Sequence, residues 1–315
     1  MKKIISVAII GAGYMATEHI KAFSSIEGVK VVGIFSRTKS KAEEVANKYT
    51  IEHVSDSVSE LFEKTNAEIV VVTTPELETR KICSEVFKFS WASLIEKPVG
   101  YNYEEAKLIL EESEKYHTHS FVALNRRHYS STTFVLKDVI NFQGKRILQI
   151  TDQEDLIGAK KSGQPELVIK NWMFANAIHI IDYINVFMRG EIQNVEHIEK
   201  WNPENPFYTA SKILFSSGDT AIYQCFWNAP GPWSVSLTTN MRKWEMRPLE
   251  QVSYQDFGQR KIENIEKSLH DLDFKPGLKI QAEEMIKFIK GKEHRLPDLK
   301  EAIKSMELVK RIYEI

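Results

Sequence analysis

Short apolar runs alternate with amphipathic stretches along the first part of the chain. Residues 7–10, 29–35, 52–54, 69–73 and 93–95 read as strands, and residues 39–49 and 103–115 place apolar side chains at the helical period. A strand buried on both faces cannot alternate polar with apolar residues, so continuous β-branched runs separated by helices predict a parallel sheet covered on both sides. The expected fold is α/β, with a doubly wound Rossmann sheet over residues 1–122.

The pattern changes over residues 123–315. A strand at 121–124 bridges the two parts, and a strongly apolar helix spans 174–188. Runs at 194–198, 211–216, 221–227, 234–239 and 243–247 then follow one another through short polar turns. Ser217-Gly218-Asp219 between two of them is a hairpin signal. This predicts an α+β domain over 123–315 with a mostly antiparallel sheet, which the family resemblance given below implies to be large and open and to serve substrate binding and oligomerisation. Residues 279–289 and 300–312 return to helical spacing, and these C-terminal helices are expected to pack back on the first domain.

Composition narrows the classes. A chain of 315 residues, 43% apolar, can bury a substantial core. Its 42 basic and 43 acidic side chains include no run of five like charges, which leaves no electrostatic footprint for nucleic acid or an anionic membrane. Cys83 and Cys225 lie in unrelated segments and are expected to be buried small hydrophobes in a reducing compartment. The basic start Met1-Lys2-Lys3 and its apolar sequel are too short for a signal peptide, and no stretch approaches the roughly 18 apolar residues of a membrane span. A cytoplasmic protein is expected.

The first strand runs into Gly11-Ala12-Gly13-Tyr14-Met15-Ala16, the G-x-G-x-x-A form of the dinucleotide fingerprint. Gly11 permits the tight turn, Gly13 lets the backbone approach a pyrophosphate, and Ala16 allows close helix–strand packing. Tyr14 and Met15 open a helix whose amides point at the phosphates. About 20 residues on, where NAD enzymes place a ribose-binding acid, stand Ser36-Arg37-Thr38-Lys39. A hydroxyl, a guanidinium and an ammonium favour a 2′-phosphate, so NADP(H) is expected in preference to NAD(H). The plain structural reading of Arg37 and Lys39 is a solvated helix entry.

Glu96-Lys97-Pro98 follows the strand at 93–95, at the edge where open α/β sheets bind ligands. A lysine there can exchange the proton of an alcohol while hydride moves to or from a nicotinamide. Taken alone, the same tripeptide is also an ordinary surface turn.

Together these segments resemble the Gfo/Idh/MocA family of oxidoreductases, named for glucose-fructose oxidoreductase and inositol dehydrogenase. The resemblance rests on the glycine motif, Thr73-Thr74-Pro75, Glu96-Lys97-Pro98, Asn125-Arg126-Arg127 and His179-Ile180-Ile181-Asp182, in that order. It implies a nicotinamide enzyme acting on a secondary alcohol or ketone of a sugar, cyclitol or nucleotide sugar. Lys97 would be the acid/base and His179 its assistant, and the proline of the Glu-Lys-Pro motif is commonly cis. Thr73, Thr74, Pro75, Glu96, Lys97, Asn125 and Arg126 would contact the cofactor, with Asn125 and Arg126 open to substrate as well. Lys97, Trp172, Asn176 and His179 would hold substrate. A homodimer or homotetramer through the C-terminal sheet is implied too.

The chain departs from the family pattern at three places. Ala175 stands where a carboxylate usually precedes the histidine by four residues, while Glu76 and Thr79 replace an asparagine and a histidine after Pro75. Loss of the carboxylate leaves open a dehydratase or epimerase with an internal redox cycle, or a non-catalytic dinucleotide-binding regulator. His179 also reads as a core histidine among Ile178, Ile181 and Ile184, and Trp172 as a core or a stacking tryptophan. Trp227, Trp233, Arg242 and Trp244 lie in or near strands whose register the sequence does not fix. His117-Thr118-His119 lacks further ligands nearby, so no metal is expected.

Overall fold

The computed structural model describes residues 4–231 and 233–315, so the basic start Met1-Lys2-Lys3 lies outside them. The chain forms two compact units, Met1–His128 with Leu272–Ile303 and Tyr129–Asp271 with Lys304–Ile315.

The first unit runs β1 (Ile5–Ile10), α1 (Tyr14–Ser24), β2 (Val29–Phe35), α2 (Lys39–Tyr49), β3 (His53–Ser55), α3 (Val58–Thr65), β4 (Ile69–Val72), α4 (Glu76–Val86), β5 (Ala92–Glu96), α5 (Tyr103–Lys115) and β6 (His119–Ala123), then a 3₁₀ turn at Asn125–His128. Its strands make one parallel sheet in the order β3-β2-β1-β4-β5-β6. The order reverses direction beside β1, the switch point at which doubly wound sheets open a crevice. All four residues of β4 are buried, as are Val7 to Ile10 of β1, which explains the unbroken apolar runs. Helix entry is set by side-chain caps: Ser57 accepts the Glu60 amide at 3.0 Å and Asn102 accepts the Glu105 amide at 2.9 Å.

The second unit begins with α6 (Ser130–Val139) and β7 (Ile147–Glu154). It continues through α7 (Leu156–Lys161), α8 (Glu166–Lys170), a π turn at Met173–Ala177 and α9 (Ile178–Phe187). Then come β8 (Ile192–Glu199), β9 (Tyr208–Phe215), β10 (Thr220–Trp227), β11 (Ser234–Thr238), β12 (Arg242–Met246), β13 (Val252–Asp256), β14 (Glu263–Ile265) and α10 (Leu269–Asp273). The chain ends with α11 (Leu278–Ile289) and α12 (Leu299–Tyr313). Leu278, Ala282, Met285 and Ile286 of α11 join Ile20 and Phe23 of α1 in the core of the first unit.

Eight strands form the second sheet, in the order β14-β13-β12-β11-β7-β10-β9-β8. Every pairing is antiparallel except that of β7 with β10. The strand β7 is absent from the apolar pattern because its inward positions read Leu148, Ile150, Asp152, Glu154, of which the last two are fully buried acids. The apolar helix expected at 174–188 is divided: the π turn supplies its first residues, and α9, buried nearly all round, begins at Ile178. Cys83 and Cys225 are both buried and unbridged. Among the described residues, no helix is long and apolar enough to cross a membrane.

Candidate functional site

Two glycines of the β1–α1 turn stand in opposite surroundings. Gly11 has φ +110° and its amide donates to the Phe35 carbonyl at 2.8 Å; a Cβ there would stand 2.7 Å from the Thr73 carbonyl oxygen. A Cβ on Gly13 would meet no protein atom within 4 Å, so this position opens on clear space. Gly13 is the N-cap of α1, and the helix has neither a side-chain cap nor an acid in its first turn. An uncapped helix N-terminus beneath an open glycine has the backbone donors and positive dipole that suit a diphosphate. Tyr14 is exposed with Lys275 5.4 Å from its ring centre, Met15 packs half-buried on the core, and Ala16 is buried.

Beyond β2, the Ser36 hydroxyl accepts weakly from the Thr38 amide at 3.4 Å. Arg37 is 78% exposed and pairs with Glu78 of α4 at 2.8 Å, while Lys39 pairs with Asp56 at 2.8 Å. The two cations expected at a 2′-phosphate thus each hold a carboxylate. At the end of β4 the Thr73 amide and hydroxyl both donate to the Ile10 carbonyl, at 2.8 and 2.9 Å, which ties this loop to the glycine turn. The Thr74 hydroxyl oxygen is buried without a protein partner, and Pro75 is exposed as the N-cap of α4.

Glu96 ends β5, and its carboxylate meets Nε2 of His19 at 2.7 Å. His19 is almost fully buried, on the α1 face that also carries Ala16, Ile20 and Phe23. That spacing is the core-facing helical repeat, so a histidine in one of its slots needs a polar partner, a signal the motif reading passes over. Its Nδ1 is buried without a partner, so the ring is held through Nε2 and Glu96. Lys97 follows half-buried, and the Lys97-Pro98 bond is cis. The Asn125 amide donates to the Pro276 carbonyl at 3.0 Å, Arg126 beside it is half-buried, and Arg127 pairs with Glu301 at 3.1 Å.

In the second unit, Trp172 Nε1 and Asn176 Nδ2 both donate to Oε2 of Glu154, at 2.7 and 2.8 Å. The donors are half-buried and the acceptor fully buried. His179, also half-buried, has its ring centre 6.4 Å from that of Trp233, whose Nε1 donates to the Gln153 carbonyl at 2.9 Å. Asp182 is buried and accepts from Ser305 at 2.6 Å. Ala175 is turned into the core. The remaining aromatic candidates are structural: Trp227 packs on Trp201 with ring centres 4.2 Å apart, and Trp244 donates to Asp138. Arg242 is clamped by Asp138 and Asp256, with its guanidinium 3.9 Å from the Tyr254 ring centre.

The first unit matches a known family model over residues 5–124, described as the GFO_IDH_MocA oxidoreductase family with an NAD-binding Rossmann fold. The matched stretch, residues 5–124, is similar to the Gfo/Idh/MocA family. Similarity to individual proteins extends further along the chain. A 4-carboxy-2-hydroxymuconate-6-semialdehyde dehydrogenase from Sphingobium sp. is 23% identical over 200 residues, covering 61% of this chain and 62% of its own length. A glucose-6-phosphate 3-dehydrogenase from Bacillus subtilis is 27% identical over 150 residues, covering 48% and 41% respectively. Both alignments therefore take in less than two thirds of the relative. An oxidoreductase from Agrobacterium radiobacter, solved in complex with NAD+, L-tartaric acid and magnesium, shares the fold. Its TM-score is 0.78 at 16% identity, over 98% of this chain and 95% of that one.

Proposed function

We propose that the protein is a nicotinamide-dependent oxidoreductase that interconverts a secondary alcohol and a ketone on a sugar, cyclitol or nucleotide sugar. The observation that carries this reading is the β1–α1 turn, where Gly11 is held against Thr73 and Gly13 opens on clear space at an uncapped helix N-terminus. Those residues fit a dinucleotide, whose nicotinamide supplies hydride acceptance or donation. The family match and the sugar in the name of one relative support the substrate class.

Lys97 handles the proton at the substrate oxygen, giving it in reduction and taking it in oxidation, and its ammonium form favours negative charge developing there. His179 shares that proton or binds a neighbouring hydroxyl, while Trp172 and Asn176 hold the substrate body. Thr73, Thr74, Pro75, Glu96, Asn125 and Arg126 contact the cofactor. Ser36, Arg37 and Lys39 give the preference for NADP(H), with Arg37 exchanging Glu78 for the 2′-phosphate. Half-exposed Ile222, Gln224 and Phe226 on the outward side of β10 support a dimer or tetramer through the second sheet. A reducing, cytoplasmic setting accords with the two unbridged cysteines.

The test is calorimetric titration of the cofactor-free protein with NADPH and NADH, followed by a nicotinamide absorbance screen against sugars and nucleotide sugars. Tighter binding of NADPH with substrate-dependent redox change is expected. Binding of neither dinucleotide would overturn the reading.

A further inference from the structure

We propose that Glu154 is a positioning carboxylate, which fixes Trp172 and Asn176 as a ledge for a neutral, ring-shaped polyol. This rests on the substrate class proposed above and names the groups that recognise it.

The argument starts from an expensive placement. Asp152 and Glu154 lie two apart on the inward side of β7 and both are fully buried. A carboxylate taken out of water is tolerated only where hydrogen bonds replace its hydration. Asp152 is held within the core: Oδ1 accepts from the Gln153 amide at 2.7 Å and Oδ2 from Tyr223 at 2.7 Å, and the Tyr223 hydroxyl meets that of Tyr313 at 2.8 Å, with Asp152 and both tyrosines buried. This network ties the sheet to α12 and needs no ligand to explain it. Glu154 instead bonds outward, to two side chains that are themselves half-exposed. Its hydrogen bonds order groups at the edge of the core.

The indole of Trp172 can only donate, so Oε2 of Glu154 acts as an acceptor, and that decides which end of the Asn176 amide faces it. Nδ2 must point to Glu154, and Oδ1, at the other end of the same planar group, is presented as an acceptor of fixed direction. Trp172 is pinned by the same oxygen through Nε1. One residue back on the strand, the Gln153 carbonyl pins the second indole, Trp233, beside His179. Two immobilised indoles, an oriented amide oxygen and an imidazole suit a sugar or cyclitol. Indole faces cover the C–H side of such a ring, and a fixed acceptor selects a hydroxyl.

The π turn is part of the device. It runs from Met173 to Ala177, directly after Trp172, and includes Asn176. Both donors reach one carboxylate oxygen across this widened turn, four positions apart.

The experiment compares wild type, Glu154→Ala, Glu154→Gln and Asn176→Ala. Each is titrated calorimetrically with NADPH, with myo-inositol and with D-glucose, and assayed at steady state on whichever polyol the absorbance screen selects. Expected results are an unchanged NADPH affinity, a KM for the polyol raised about tenfold in Glu154→Ala with kcat within about threefold, and a smaller rise in Glu154→Gln. The preference for the polyol over its deoxy analogue should collapse equally in Glu154→Ala and Asn176→Ala, and the double variant should add nothing further. A purely structural Glu154 would lower the thermal midpoint and kcat while leaving that preference intact, which would overturn the proposal. So would wild-type protein that binds neither probe and turns over no polyol, even if NADPH still binds. Loss of the dinucleotide reading would instead show as a failure to bind NADPH, with polyol binding still reporting on Glu154.

Discussion

The strands β5 and β7, one in each unit, both end in candidate functional groups but arrive at them differently. In β5 every residue before Glu96 is buried, so polarity begins where the strand meets the ligand edge. β7 alternates, and two of its polar groups lie inside the packing, where Asp152 and Glu154 take the inward positions that Leu148 and Ile150 hold earlier. A parallel sheet covered on both faces therefore marks its ligand edge in the sequence by the end of an apolar run. A sheet covered on one face can carry functional acids on the core side, in positions that look solvent-facing when read along the chain.

The comparison breaks if the first unit's strand ends carry no chemistry. Lys97→Ala should lower turnover about 10²–10⁴-fold in a nicotinamide absorbance assay, and unchanged turnover would remove Lys97 from acid/base duty. Gly11→Ala should cost about 1–3 kcal/mol in urea unfolding, because its Cβ has no room beside Thr73, with dinucleotide affinity lost in parallel. A variant as stable as wild type would show that the turn tolerates a side chain.

The second unit's reliance on buried charge has its own test in acid. Burial by itself would raise the Asp219 carboxyl, but the Arg189 guanidinium and the amides of Arg146 and Arg189 outweigh it and hold it below the usual range. The folded value lies below the unfolded one, so this stabilisation is complete above about pH 4 and fades as pH falls through the folded value. Asp219→Asn should lose stability at neutral pH and lack that component of acid unfolding, followed by circular dichroism across pH 2–7. An identical acid profile would show that Asp219 contributes nothing.

Smaller effects sharpen the cofactor end. Arg37→Ala should weaken NADPH relative to NADH about tenfold by calorimetry. Glu78→Gln should tighten NADPH about two- to threefold, since the Arg37–Glu78 pair is exposed and weak and yet competes with a phosphate. If Glu78→Gln left NADPH affinity unchanged, that competition would be absent.

Legibility follows the same division. β2, α2 and α5 form over the residues the pattern marks, because each is set by local periodicity or an unbroken run. β7 does not stand out, and Glu154 is hidden with it. Reading 174–188 as one regular helix puts Ala175 on the face of His179, whereas the π turn leaves Ala175 buried and Asn176 half-exposed. His19 was detectable, as a polar residue in a core slot of α1; its partner lies 77 residues away and was not. The Arg37 pairing with Glu78 spans 41 residues and depends on how α4 sits beside β2, information that no local window holds.

The π turn also makes the second unit sensitive to length as well as composition. Removing one residue between Met173 and Ala177 would let α-helical winding run through the turn, with the flanking segments keeping their faces and only the side chains inside the turn changing place. A single-codon deletion would then change which side chain meets Glu154 with no residue exchanged.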